Sequence, residues 1–588
     1  MVRCPLAFLF AIPAALPAFA QGYPPWQCIA NTVNPPLMRF RGIAERAGDI
    51  LITCQGGDPA QVNLITFQVN MQTPITSRVL NPFPAQTGWR ASEALLLVDE
   101  PGADRFDPAT GNPLPPIPPV ACSASLAGSG NCPPGANVYQ GYQAADNSVI
   151  WVGVPLVPTG VAPPRTFRLT NLRANVSVAS MTPGWVPTML NALVVLNGTN
   201  APPLANASQV VGFVQEGIMW SLRTPDNSAA LGGGGAAFQP CVAHNEALSL
   251  NPASGSAPDG GAFVVRVREG YGTALLKQAE SSDPPVSAEA RPAYRDQKYP
   301  SHVYNSENGF IDLGYPIIDG MKNAGVASHA TRFSVMFRNV PHGLQFHAPV
   351  YELGRNSTNS RVRLVAAEPS PPASLTSPYT PLGPASAGLG TYYTKDMTYV
   401  YEVTAKGNVE AWALDSIDLL FYAAHPGKPY VGLGTASVSV HLSPVSNAAA
   451  ASEFDWIPRF AESSEWRTAA TMNPCSPQAK LTASLGTRSG PASARIWPVV
   501  LRNVGLGAAT NAQATGLSLK QTYGAACTPV VITPMPVAYG GLAVGASQTR
   551  SVTVNFTGCP AAARFSATIQ YAAGGGAGGS STYHNLYR

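Results

Sequence analysis

The chain has 588 residues, too many for a single hydrophobic core, and only 12% of them are charged, about half the usual share of a soluble domain. Its formal charge of +4 is spread without a Lys/Arg cluster, which gives no electrostatic case for a nucleic-acid partner. Gly (55) and Pro (57) are abundant yet stay below the level that signals wholesale disorder, and the profile favours extracellular β modules over a cytosolic α/β enzyme.

The first twenty residues read as an export signal. Arg3 precedes an apolar run from Pro5 to Pro17, and Ala18-Phe19-Ala20 places small residues where a signal peptidase inspects. Cleavage near Ala20 is expected, with Gln21 beginning a mature chain of 568 residues and charge +3. Cys4 leaves with the leader. The run is too short to span a bilayer and no later apolar segment approaches 18 residues, so no transmembrane segment is expected in the mature chain.

Residues 21–225 read as an N-terminal β region. Ile65, Phe67, Val69 and Met71 alternate with Thr66, Gln68 and Asn70, the period of a half-buried strand. The run from Ala94 to Val98 reads as a central strand, apolar on both faces. A Pro-rich excursion, DEPGADRFDPATGNPLPPIPPV, interrupts the region because proline cannot donate to a ladder. Residues 226–235 are expected to form a Gly-rich linker.

A middle β-sandwich region is predicted over 236–450, carried by Phe333/Val335/Phe337 and Val438/Val440/Leu442 and holding a low-complexity insert at 368–390. A connecting segment follows over 451–475, and a C-terminal module over 476–588. In that module Val552/Val554/Phe556 and Phe565/Ala567/Ile569 are predicted to face the core. Three strand ends share one pattern, Leu169-Thr170-Asn171-Leu172, Phe337-Arg338-Asn339-Val340 and Leu501-Arg502-Asn503-Val504, and asparagine tolerates turn conformations there. The fold class is therefore all-β, several sandwich domains in tandem.

Eight cysteines remain after the signal, an even number in an exported chain, and read as structural disulfides. Grouping by region predicts Cys28–Cys54, Cys122–Cys132 and Cys527–Cys559, with Cys241–Cys475 joining the two ends of the middle region. There is no CxxC and no Cys/His cluster of zinc spacing.

The stretches ARIWPVVLRNVGLGAATNAQATGLSL, GAACTPVV and GGLAVGASQTRSVTVNFTGC are similar to bacterial Ig-like modules of the cell-adhesion-related (CARDB-like) kind, with Gly545-Ala546-Ser547 filling the polar turn of such modules. CIANTVNPPLMRFRGIAERAGDILITCQGG, SEALLLVDEP, RTFRLTNLRANV and TRFSVMFRNVPHG resemble large secreted β proteins of soil bacteria. The resemblance implies an exported sandwich fold and brings no catalytic signature.

No G-x-S-x-G elbow, H-E-x-x-H or P-loop is present. His342 and His347 are candidates to share a metal but lack a third ligand in sequence. Asp99, Glu100, Asp104 and Asp107 form the densest acidic stretch, a candidate for calcium without the usual loop order. Glu402, Asp415 and Asp418 are acids inside apolar strands, the only candidates for paired-carboxylate hydrolysis or else charges that protect strand edges. Tyr392, Tyr393, Tyr399 and Tyr401 could stack on sugars or fill a core. These readings converge on an exported structural or adhesive protein with no catalytic residues, cofactor or metal. Its expected partners are surface polysaccharide or other surface proteins, and the alternatives are a carbohydrate-binding protein or an unrecognised hydrolase.

Overall fold

The computed structural model describes residues 22–587 apart from 80–88, 102–104, 108–109, 116, 123–130, 182–185, 241–243, 246–261, 277–326, 354–360, 369–388, 392–396, 406–413, 426–431, 447–451, 453–454, 475–478 and 575–576. The described residues form strands and short 3-10 turns with no α-helix, so the all-β expectation holds. Three hydrophobic cores divide them into three units. The export signal lies outside the described residues.

In the first unit one twelve-stranded sheet supplies both layers around its core. Phe67 on Asn63–Met71 and Phe167 on Gly160–Thr170 meet across that core at 5.2 Å between ring centroids. The sheet also closes on itself. Cys28 pairs with Leu204 and Phe213 pairs with Leu37, both in parallel and both at a sequence offset of 176. Residues 28–39 and 204–215 are therefore one parallel seam, interrupted midway. The gap is bridged by side chains: Thr32 donates to Gln209 Oε1 at 3.0 Å, and Gln209 Nε2 donates to the Ala30 carbonyl at 3.0 Å.

The second unit packs two six-stranded sheets face to face. One contains Ile218–Arg223, Phe263–Glu269, Ser416–His425 and Gln345–Pro349, and the other contains Arg467–Met472, Gly434–Ser443, Arg332–Arg338 and Met397–Val403. Phe337 from one sheet meets Phe346 and Phe421 from the other at 4.7 and 5.3 Å, the aromatic contact that fills the sandwich. Two boundaries differ from those read in the sequence. Ile218–Arg223 belongs to this unit because it pairs with Phe263–Glu269. Arg467–Met472, read as part of a connecting segment, is an integral strand beside Gly434–Ser443. The Gly-rich stretch after Thr224 folds back on its own strand, Leu231 N–H donating to the Leu222 carbonyl at 2.9 Å, and so does not separate the units.

The third unit is a sandwich of two four-stranded sheets. Trp497 and Phe556 stack at 5.7 Å, Phe556 and Phe565 meet at 5.3 Å, and Val552, Val554, Ala567 and Ile569 are buried with them. The three asparagines do end strands. Asn171 and Asn339 take φ of 59° and 57°, while buried Asn503 instead donates from Nδ2 to the Gly507 and Leu542 carbonyls at 2.8 and 3.0 Å.

Disulfides join Cys28–Cys54, Cys122–Cys132 and Cys527–Cys559, with Cα atoms 4.1, 5.1 and 5.2 Å apart. Cys241 and Cys475 lie outside the described residues. Ala236–Phe238 runs parallel to Arg467–Met472 with Phe238 opposite Met472, and each cysteine follows three residues later in the sequence. Peptide mapping of the oxidised protein is expected to recover a Cys241–Cys475 cross-linked peptide; two free thiols at these positions would contradict it.

Candidate functional site

The strands of the first unit sort its turns onto two poles. Residues 40–48, 72–79, 145–148 and 171–181 lie at one, and residues 22–26, 57–62, 99–101, 105–107, 110–115, 117–122, 131–137, 157–159 and 198–207 at the other. The first pole is held against the second unit. Gly42 bridges Phe460, Ile43 N–H donates to the Arg459 carbonyl at 2.9 Å, and Ala461 N–H donates to the Arg41 carbonyl at 2.7 Å. Phe460 is a residue of the second core, and the Arg39 guanidinium lies 5.0 Å from its ring.

Buried charge fixes this contact. Glu93, on Arg90–Val98, is 0% exposed and sits between two buried arginines. Arg173 Nε donates to Glu93 Oε1 at 2.9 Å, the Arg78 backbone N–H donates to the same oxygen at 2.9 Å, and Arg78 Nη1 lies 3.7 Å from Oε2. Arg78 then crosses to the second unit, donating to Ser328 Oγ at 3.0 Å and the Asp455 carbonyl at 3.2 Å. Arg39 pairs with Glu45 at 2.8 Å and donates to Thr331 Oγ1 at 3.1 Å. Sequence reading passed over Glu93, although it too stands inside an apolar strand; its signal was one acid in RASEALLLV.

The candidate acids prove to be partners of arginines. Asp99 pairs with Arg165 at 2.7 Å, and Glu100 with Arg168 at 2.7 Å. Both hold positive φ, 55° and 56°, at the root of the Pro-rich excursion, and burial raises the Glu100 carboxyl above the usual range despite Arg168. Asp107 accepts from Thr110 N–H at 3.3 Å, and Asp104 lies outside the described residues. These contacts use the oxygens that the calcium reading needed.

Glu402 pairs with Arg332 at 2.6 Å, Asp415 with Arg361 at 3.3 Å and Asp418 with Arg266 at 2.7 Å. Glu402 stands on one sheet of the second unit, and Asp418 on the other, with Asp415 just before its strand. The paired-carboxylate reading therefore finds three separate ion pairs. His342 lies in a turn and is exposed; His347 is buried on Gln345–Pro349, where burial lowers its pKa. Among the described residues, no three His, Cys, Asp or Glu are grouped to hold a metal. Tyr399 and Tyr401 are core, their hydroxyls donating to the Phe346 and Pro349 carbonyls at 2.8 Å each, so neither can face a sugar. Tyr392 and Tyr393 lie outside the described residues.

Large apolar side chains reach solvent at both poles of the first unit, Val178 at the first pole (61% exposed) and a larger group at the opposite one. Tyr23 is 52% exposed, Val62 64%, Phe106 60% and Val161 88%. Phe106 stands on a two-stranded hairpin of the excursion, Arg105–Phe106 against Pro113–Leu114, and the Cys122–Cys132 bridge staples the same excursion. Beside it, Trp26 lies over Gly57, where a Cβ would come within 2.9 Å of its side chain; φ of 73° there also favours glycine. Rigid strands thus present a loop cluster with apolar tips, an arrangement suited to contact with another molecule.

No protein-family model matches the chain, and no curated protein matches it. Among solved structures it is similar to the C-terminal domain of the Streptococcus agalactiae AgI/II polypeptide BspA, at 7% identity and TM-score 0.25, covering 71% of this chain and 95% of that one. The C-terminal domain of the Streptococcus pyogenes antigen I/II-family protein AspA gives 9% identity and TM-score 0.25, covering 76% and 99%. At these scores the likeness carries no argument about what this chain does.

Two outcomes are expected from the buried groups. Glu93→Gln leaves Arg78 and Arg173 without their counter-charge and should cost about 3–5 kcal/mol of stability, measured by denaturant unfolding. His584 is fully buried against the second unit: its Nε2–H donates to the Pro225 carbonyl at 3.1 Å, and its Nδ1 accepts from the Ser566 hydroxyl at 2.9 Å. Burial lowers its pKa from 6.5 to about 4, and burial likewise lowers His441 and His425 to about 4. The unfolded chain binds these protons first, so stability should be flat above pH 6.5 and fall as pH drops toward 4. A pH series of thermal melts checks this, and His584→Asn should reduce the slope.

Proposed function

We propose that this is an exported, non-catalytic structural or adhesive protein of the cell surface or extracellular matrix, which touches its partner through the outer pole of the first unit. The observation that carries the reading is the division of that unit into one pole locked to the second unit and another that presents Tyr23, Val62, Phe106 and Val161. Three disulfides support an oxidising compartment, and the sequence of the first twenty residues supports export. Engagement of Glu402, Asp415 and Asp418 by arginines speaks against a hydrolytic role. Surface polysaccharide and other surface proteins remain the partner classes, and the CARDB-like resemblance of the third unit fits an adhesive chain.

The test is adhesion of the purified protein to intact cells. Replacing Tyr23, Phe106 and Val161 by serine should leave stability within about 1 kcal/mol, because all three are exposed. The same variant should lose most cell binding. Undiminished binding by a folded triple variant would remove the pole from the reading.

A further inference from the structure

Charge is distributed unevenly along this chain. Residues 476–588 contain eight Lys and Arg and no Asp or Glu, a formal +8. Residues 1–475 carry 28 Lys and Arg against 32 Asp and Glu, a formal −4. The cations of the third unit are too far apart in sequence to form a run, which is why the average of +4 conceals them. Arginines of the first two units pair with carboxylates, as Arg168, Arg173, Arg332 and Arg361 do, whereas the third unit contains no Asp or Glu to pair with.

Three of these arginines gather at one end of the unit. Residues 486–497 fold back on themselves, Ser489 bridging Ile496 around the 3-10 turn Ala492–Ala494, so Arg488 and Arg495 stand on the two arms. Arg488 donates to the Tyr587 carbonyl and lies 5.7 Å from the Trp497 ring centroid. Arg564 pairs across from Tyr587 in the neighbouring strand and lays its guanidinium over that ring. Tyr587 thus ties Arg488 and Arg564 together. Arg495 donates from Nη1 to the Gly490 carbonyl, whereas its Nε–H is buried with no acceptor. Burial, and then the field of Arg495, lowers the pKa of Arg488.

Guanidiniums gathered at one end of a unit that has no Asp or Glu side chain are an arrangement that an external anion would relieve. We propose that this end of the third unit binds the carboxylates of an acidic, uronate-bearing polysaccharide through Arg488, Arg495 and Arg564. Arginine presents a planar fork that matches a carboxylate, and the exposed hydroxyls of Thr487, Ser489 and Ser493 stand beside it to meet sugar hydroxyls. Nucleic acid fits less well, because Trp497 is buried and one face of the Tyr587 ring is taken by Arg564, which leaves the cluster poor in stacking surface for bases. Arg502, Lys520 and Arg550 are exposed elsewhere on the unit and extend the attraction for a polymer of repeating charge. The proposal rests on the reading of the chain as an extracellular adhesive protein but uses a different surface from the outer pole.

The experiment measures binding of the whole mature protein to immobilised polygalacturonate, dextran, double-stranded DNA and phosphatidylglycerol vesicles. Binding to polygalacturonate is expected, weakening as salt rises, with none to dextran. Arg488→Gln/Arg495→Gln/Arg564→Gln should weaken it on the order of a hundredfold, and Arg502→Gln/Lys520→Gln/Arg550→Gln by less than about tenfold. Should the first triple variant fail to fold, Arg495→Gln alone, which loses little internal bonding, should give roughly a tenfold loss. Wild-type affinity in the folded variants, tighter binding to DNA or vesicles, or no binding to polygalacturonate overturns the proposal. Cell binding that persists without polygalacturonate binding overturns this site alone; absence of both overturns the adhesive reading as well.

Discussion

The Glu93 carboxylate, closed between Arg78 and Arg173, is the constraint on which the relation of the first two units depends. Three ionic groups taken out of water are tolerable only when each finds its partners, and here the unmatched capacity of Arg78 is met by Ser328 and Asp455 of the second unit. The arginine is therefore satisfied only when the two units are together. That couples the folding of one β unit to the placement of the next and fixes which pole of the first unit faces outward.

The same pairing logic accounts for the other acids inside apolar strands. An acid on a strand facing an arginine on its neighbour is held in one place by a charge-assisted hydrogen bond. Glu402 with Arg332 and Asp418 with Arg266 are such cross-strand pairs. The third unit inverts this logic. It contains no Asp or Glu to pair with its eight cations.

Much of the architecture was legible because burial on a strand alternates with period two. Val552, Val554, Phe565 and Ile569 enter the core as their alternation with Thr553 and Ser566 requires, and three disulfides follow from the grouping of cysteines into local regions. What was not legible depends on contacts between distant segments. Ile218–Arg223 looks like any other strand, and only its pairing with Phe263–Glu269 assigns it to the second unit. Glu93 escaped notice because its partners stand 15 and 80 residues away. The cluster of Arg488, Arg495 and Arg564 is assembled by a folded-back segment and a strand register, neither of which leaves a motif.

The interrupted parallel seam between residues 28–39 and 204–215 bears on how the first unit is made. Its two halves are 176 residues apart, so the sheet cannot close until nearly the whole unit has been synthesised. Until then, residues 27–33 can pair with Asp49–Gly56 through one side only, and their other side is an open ladder of N–H and C=O groups. Long-range closure of this kind is slow, because the loss of chain freedom comes before the contacts that offset it. The vulnerable species in the life of this protein is thus a nearly complete first unit with an unsealed edge, ready to accept a strand from another emerging chain.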